Sequence, residues 1–199
     1  MTPTRPILTI GHSRHSWERF TALLDGAGVE TIADIRSAPR SRFWPQFNKD
    51  AMAAALAARG VEYMFLGSEL GGRPQSQALY SDGVADYEKM AASPEFRLGL
   101  DRLMEATSRR SVAVMCSEAD PLECHRCLLV GRALAEQGVD VRHILASGKV
   151  VAHAEVEDRL LSLENLAEEN LLPSSRQERL AEAYRARSRK AGYRTPQSK

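Results

Sequence analysis

Five short apolar runs, each followed by a stretch with helical periodicity, pace the first 150 residues of the chain. They lie at residues 7–10, 31–35, 61–66, 111–116 and 139–145. Runs this short read as strands buried on both faces. Between them come amphipathic or alanine-rich stretches. Ser16 is placed to cap the first, with Phe20, Leu23 and Leu24 on one face. Helices are also expected over residues 50–59, 85–92, 94–107 and 120–137. This β-α-β-α order predicts an α/β fold, with a mostly parallel central sheet of about five strands joined by right-handed crossovers. The expected architecture is a single three-layer domain over residues 1–153, with helices on both faces of the sheet. A helical C-terminal extension with a basic tail follows at 154–199, and no strand is expected after about Val151.

At 199 residues, 43% hydrophobic and 27% charged, the chain has enough material for one sizeable core. Collagen-like, low-complexity and wholly disordered classes are excluded. No apolar run approaches the ~20 residues of a membrane-spanning helix, and the N-terminus lacks a secretory apolar region. Three cysteines, Cys116, Cys124 and Cys127, do not make a disulfide framework and point to a reducing, cytoplasmic setting.

In a parallel sheet, ligands bind beyond the carboxyl ends of the strands. Those ends carry His12, Ser13 and Arg14 after the first run, then Asp34, Arg36, Arg40 and Arg42 after the second. Glu69, Gly71, Gly72 and Arg73 follow the third, and Cys116, Glu118, Cys124, His125 and Arg126 follow the fourth. Reactive and charged residue types thus converge on one rim. In CSEADPLECHRC, Asp120 is placed to cap a helix, Pro121 to start it and Glu123 to close a capping box. That arrangement would aim a helix N-terminus at Cys116 and lower its thiol pKa for nucleophilic work. Cys127 shares a helical face with Val130 and Leu134 and reads as core. His12 and Glu118 are candidates for proton transfer, whereas His15, His143 and His153 read as structural. Phe43, Trp44 and Phe47 are placed either to stack on a base or to anchor their loop.

The acid-free segment from Arg36 to Lys49 suits recognition of phosphate or carboxylate. A phosphate loop, a dinucleotide glycine fingerprint and a tyrosine-phosphatase signature are all absent. The spacing C-x7-C-H matches no strong zinc pattern, so no metal and no cofactor is assigned.

The motifs TIGHS, ADIRSAPRSRFWPQF, ELGGRP, CSEADPLECHR and RHIL with the later His153 are in order along the chain. Together they resemble the domain of unknown function family 488 over roughly residues 6–160. The resemblance implies a single α/β domain but no established activity. It marks His12, Ser13, Asp34, Arg36, Arg42, Glu69, Gly71, Gly72, Arg73, Cys116, Glu118, Cys124, His125 and Arg126 as motif residues. Ala33-Asp34-Ile35-Arg36 replaces the family's frequent Val-Asp-Val-Arg.

The formal charge of +1 conceals two opposed blocks, since residues 155–172 sum to −5 and residues 173–199 to +6. The body is therefore neutral, with its arginines gathered at the rim. The expectation is an enzyme acting on an anionic substrate that is phosphorylated, nucleotide-like or derived from nucleic acid. Cys116, His12 and Glu118 would be its catalytic groups. Ser13, Arg36, Arg42, Glu69, Arg73, His125 and Arg126 would bind the anion. The alternatives are a non-catalytic anion- or nucleic-acid-binding module, with the 173–199 tail on the nucleic acid, or a Cys/His metal site. No membrane partner is expected.

Overall fold

The structure, a computed structural model, describes residues 5–167 and 175–195. Its elements begin β1 (Ile7–Gly11), α1 (Trp17–Gly26), β2 (Thr31–Asp34), α2 (Lys49–Ala57), β3 (Glu62–Phe65), β4 (Tyr80–Ser81) and β5 (Val84–Ala85). They continue with α3 (Tyr87–Ala91), α4 (Pro94–Arg109), β6 (Val112–Cys116), α5 (Arg132–Glu136), β7 (Val141–Ile144), β8 (Val150–Ala152), α6 (His153–Leu163) and α7 (Arg176–Ala191). The fold is mixed α/β, as the alternation predicts, and Ser16 caps α1 by accepting from Arg19 N.

The six-stranded sheet has the order β3-β2-β6-β1-β7-β8 and is parallel except for β8, which runs antiparallel to β7. This edge strand is one more than expected. It arises from a tight hairpin in which Gly148, at φ 96°, donates to Leu145 O, a turn too short for periodicity to register. A second small hairpin, β4–β5, forms where the long loop after β3 ends. β1 and β6 are neighbours, yet the chain leaves β1 toward β2 on one side and β6 toward β7 on the other. The crevice between their carboxyl ends is the kind of switch point at which α/β proteins bind ligands.

Strand alternation sorts the core into two halves. Leu8, Ile10, Ile32, Ala113 and Met115 pack with Phe20 and Leu24 of α1 and Met52 and Leu56 of α2. Ile7, Ala33, Val112, Val114 and Val141 pack on the opposite face with residues of α3 to α7. The same parity continues into the strand tips. His12 stacks on Phe47 on the α1/α2 side, whereas Cys116 belongs to the α3–α7 side.

The continuous helix expected over 120–137 is broken. Asp120 does cap a turn, but its carboxylate accepts from Leu122 N and Glu123 pairs with Arg187 instead of closing a capping box. The turn ends after Pro121–Glu123, Cys124 is extended at φ −142° and ψ 140°, and a wide helix with i→i+5 bonding then runs over Arg126–Gly131 before α5. Cys124 O accepts from Cys127 N and Leu128 N, so Cys124 begins the second helix. The break lets His125 and Arg126, both polar, turn inward rather than stay on a continuous amphipathic surface. Wide turns of this type recur at functional positions.

The C-terminal extension packs on the body through α6 and α7, with Ala183, Tyr184 and Ser188 buried. Its opposed charges meet. Arg176 pairs with Glu157 and Asp158, and Arg187 and Lys190 both reach Glu164. The expected basic arm is therefore a docked helix over the described residues, and Lys199 lies outside them. Beneath it a buried relay crosses the layers. Thr9 Oγ1 lies 2.7 Å from His143 Nδ1, His143 Nε2 lies 2.9 Å from His153 Nδ1, and His153 Nε2 lies 2.9 Å from the Tyr184 hydroxyl, which donates to Glu157. Burial pushes His153 down to about 4 and, together with its histidine neighbour, pushes His143 well below the ordinary imidazole range. Both rings are thus neutral in the fold near neutral pH, and between about pH 6.5 and 4 they take up protons chiefly on unfolding. Well above pH 6.5 they exert little pH effect, and as the pH falls from 6.5 toward 4 stability is lost, by at most about 1.4 kcal/mol per pH unit for each ring. Urea unfolding should show this loss between pH 6.5 and 4, and the double variant His143→Gln/His153→Gln should show a clearly shallower fall.

Candidate functional site

β1 ends in Gly11, and this position has no room for a side chain. A Cβ there would lie 1.8 Å from Glu118 O, so the loop after β6 lies directly on the tip of β1. The loop is held by Arg126, whose buried guanidinium donates to Glu118 O at 2.6 Å and Ala119 O at 2.9 Å. These carbonyls occupy Nη1 and Nη2, while the buried Nε has no hydrogen-bond partner, so the group expected to bind an anion instead shapes the loop.

On the α1/α2 side, Asp34 and Arg36 form a buried bidentate pair, with Nε to Oδ1 at 2.9 Å and Nη2 to Oδ2 at 2.6 Å. Tyr63 donates to the same carboxylate at 2.7 Å, and Arg36 also donates to Phe47 O and to His12 Nε2. His12 Nδ1 donates to Ser13 O at 3.0 Å, so both imidazole nitrogens are engaged. Burial, reinforced by the Arg36 cation, pushes His12 down to about 4. His12 is a neutral, oriented platform on the Phe47 ring rather than an unengaged base.

Above this pair opens a cavity of about 480 Å³ lined by His12, Ser13, Arg36, Arg73, Ser117 and Glu118, among others. Arg14 and Arg40 also line it. Arg40 belongs to the acid-free segment that the sequence marks for anion recognition, whereas Arg14 stands on the rim after β1 without being among the expected anion-binding residues. Ser13, at φ 48°, makes the left-handed turn that carries Arg14 round the edge. None of Arg14, Arg40 and Arg73 has a carboxylate partner among the described residues, and Arg73 stacks on Tyr193 from the C-terminal segment. Trp44 lines the opening, whereas Phe43 projects outward under the Arg42 guanidinium. Arg42 and Glu69 do not line the cavity. Glu69 pairs with Arg102 beside a separate groove.

On the other side of the sheet edge, beneath Glu118, the thiols of Cys116 and Cys124 face one imidazole. Cys116 Sγ donates to Glu118 Oε2 at 3.0 Å and lies 3.6 Å from His125 Nδ1, and Cys124 Sγ lies 3.8 Å from the same nitrogen. His125 Nε2 meets Ile35 O at 3.0 Å. The Gly72 backbone lies against the ring so closely that a Cβ would come within 2.8 Å of it. Burial and the neighbouring Cys124 push the Cys116 thiol well up. Burial also opposes ionisation of Cys124, but the adjacent Cys116 thiol, the Arg126 guanidinium and His125 together bring it well below the ordinary thiol range. Arg126 N donates to Cys124 Sγ at 3.4 Å. The thiol favoured in its charged form is therefore Cys124, at the start of the wide helix, and not Cys116 at the strand tip. His125 and Arg126 lie beneath the cavity rather than on its wall.

A family model described as Domain of unknown function DUF488 matches residues 16–133. No curated protein and no solved structure matches the chain. Among the described residues no helix is long and apolar enough to cross a membrane.

Removing one member of a buried ion pair leaves the other charge uncompensated. Asp34→Ala, which strands both Arg36 and Tyr63, is therefore expected to cost about 3–5 kcal/mol. Tyr63→Phe, which removes one donor to that carboxylate, should cost about 1.5–3 kcal/mol. Both are read from urea unfolding, and near-neutral behaviour of Asp34→Ala would contradict this account of the pair.

Proposed function

The chain belongs to the DUF488 family, and from its own residues we propose that it is an enzyme acting on an anionic substrate, phosphorylated or nucleotide-like, held in the rim cavity. The observation that carries this reading is the trio Arg14, Arg40 and Arg73, three guanidinium groups without acid partners among the described residues around one opening of about 480 Å³. Unpaired guanidinium groups facing a shared cavity suit the planar, multidentate oxygens of phosphate. Arg36 supports the reading differently. Its charge is balanced by Asp34, so it stiffens the floor and leaves recognition to the outer arginines.

Glu118 is the group placed for proton transfer. It lines the cavity, and its carboxylate reaches the Cys116 thiol below. His12 has both nitrogens engaged, so it orients the floor. A carboxylate beside a bound phosphate also repels it. Two opposite effects are therefore expected in calorimetric titrations with inorganic phosphate and with nucleoside mono- and triphosphates. Arg14→Ala and Arg40→Ala should each weaken binding about tenfold or more, since a charge-assisted hydrogen bond contributes about 1.5–3 kcal/mol. Glu118→Gln should tighten binding. Unchanged affinity in both arginine variants, or no phosphate binding by the wild type, would overturn the proposal.

A further inference from the structure

We propose that Cys116, Cys124 and His125 form a site for one divalent transition-metal ion of the zinc class, with two thiolates and the His125 Nδ1 lone pair as its protein ligands. This goes beyond the anion reading and does not depend on it.

The three donor atoms lie within 4.8 Å of one another, with both sulfurs 3.6–3.8 Å from the same nitrogen. Around tetrahedral zinc, with bonds of about 2.3 Å to sulfur and 2.0–2.1 Å to nitrogen, neighbouring ligand atoms are separated by roughly 3.5 Å. The cluster is therefore spaced for a shared ion without rearrangement of the backbone. Its imidazole is oriented for ligation. His125 Nε2 donates to Ile35 O, so Nδ1 faces the two sulfurs, and its lone pair becomes the ligand once an ion replaces the proton shared with the thiols. A ligating histidine characteristically donates its other N–H to a carbonyl or carboxylate in this way. Gly72 on the ring face and Arg126 N on Cys124 Sγ fix two of the ligands further.

A second grouping, Cys127 with His143 and His153, meets the same proximity criterion but has no lone pair to offer. All four of its ring nitrogens are taken up in the relay from Thr9 to Tyr184. Proximity alone does not make a site, and what separates the two clusters is that His125 Nδ1 meets only the two candidate sulfurs. Soft thiolate and imidazole donors in this arrangement favour zinc over magnesium or calcium. Three protein ligands leave a fourth corner. The Glu118 carboxylate is the neighbouring group at the cluster, 3.0 Å from Cys116 Sγ, and it also borders the cavity. A donor set with one corner left open is characteristic of catalytic rather than structural zinc.

The test is metal content and cobalt spectroscopy on the untagged full chain, stripped and reloaded. About one equivalent of Zn2+ per chain should be retained after desalting. The Co2+ form should show thiolate-to-metal charge transfer with tetrahedral d–d intensity. Cys116→Ser and Cys124→Ser should abolish retention, whereas Cys127→Ala should keep it. Should the serine variants fail to fold, mass-spectrometric mapping of iodoacetamide labelling on the wild type decides, with Zn2+ expected to protect Cys116 and Cys124. No retained zinc after reloading, no thiolate charge transfer, or retention that follows Cys127 would each overturn the inference. Phosphate calorimetry on the zinc-loaded and zinc-free wild type separates this failure from failure of the anion pocket.

Discussion

The buried guanidinium of Arg126 is the contact on which the geometry of the rim depends. It is fully enclosed and bonded to Glu118 O and Ala119 O, so the loop after β6 is drawn down onto Gly11. Together with the bonds from His12 N to Cys116 O and from Ser13 N to Ser117 O, it seats the loop beside the crevice between β1 and β6, presents Glu118 to the cavity and places a positive charge behind Cys124. The wide helix from Arg126 to Gly131 is part of the same arrangement, because a regular helix starting at Asp120 would not bring both His125 and Arg126 inward. Burying an arginine is costly unless its donors are satisfied. Backbone carbonyls offset that cost at Nη1 and Nη2 only, since the buried Nε has no hydrogen-bond partner.

Strand parity then divides the chemistry. Residues of opposite parity at the strand tips face opposite layers, so Asp34, Arg36 and His12 gather with Phe47 on one side. Cys116 joins Cys124 and His125 on the other. The two halves have different physical characters. The first is a saturated polar network in which each charge is paired, and such networks rigidify their surroundings. The second is a compact cluster in which one ring nitrogen faces two thiol sulfurs. Glu118 connects them, bordering the open cavity while touching the Cys116 thiol. This division of labour supports the proposal that the outer arginines recognise an anion while reactivity resides at Glu118 and the centre beneath it.

The C-terminal extension is a structural partner of the body rather than an appendage. The acidic stretch around α6 and the basic α7 neutralise each other across their interface. Tyr184 caps the relay that begins at Thr9 in the middle of the sheet, and Tyr193 meets Arg73 at the cavity. Ion pairs with an exposed member, such as Arg176 with Asp158, contribute little singly. The buried hydroxyl and the apolar contacts of Ala183 and Tyr184 therefore anchor the helix, and the charges select its direction.

The alternation of apolar runs and helical stretches determined, by itself, the α/β class, the strands near residues 7, 31, 62, 112 and 141, and the rim where the chemistry collects. These follow from periodicity and from the rule that parallel strands present their carboxyl ends together, both local or topological properties. Sequence also named Arg36, Glu118, Cys116, Cys124 and His125 as rim residues. Tertiary structure alone decided what each faces. Arg36 is spent on Asp34, Arg42 and Glu69 lie away from the cavity, Arg14 and Arg40 line it, and the helix break at Cys124 folds a C-x7-C-H spacing into one cluster. The reason is that partner choice among buried polar groups depends on contacts between residues far apart in the chain. Parity and periodicity say which way a side chain points, but not what the opposing layer brings to meet it.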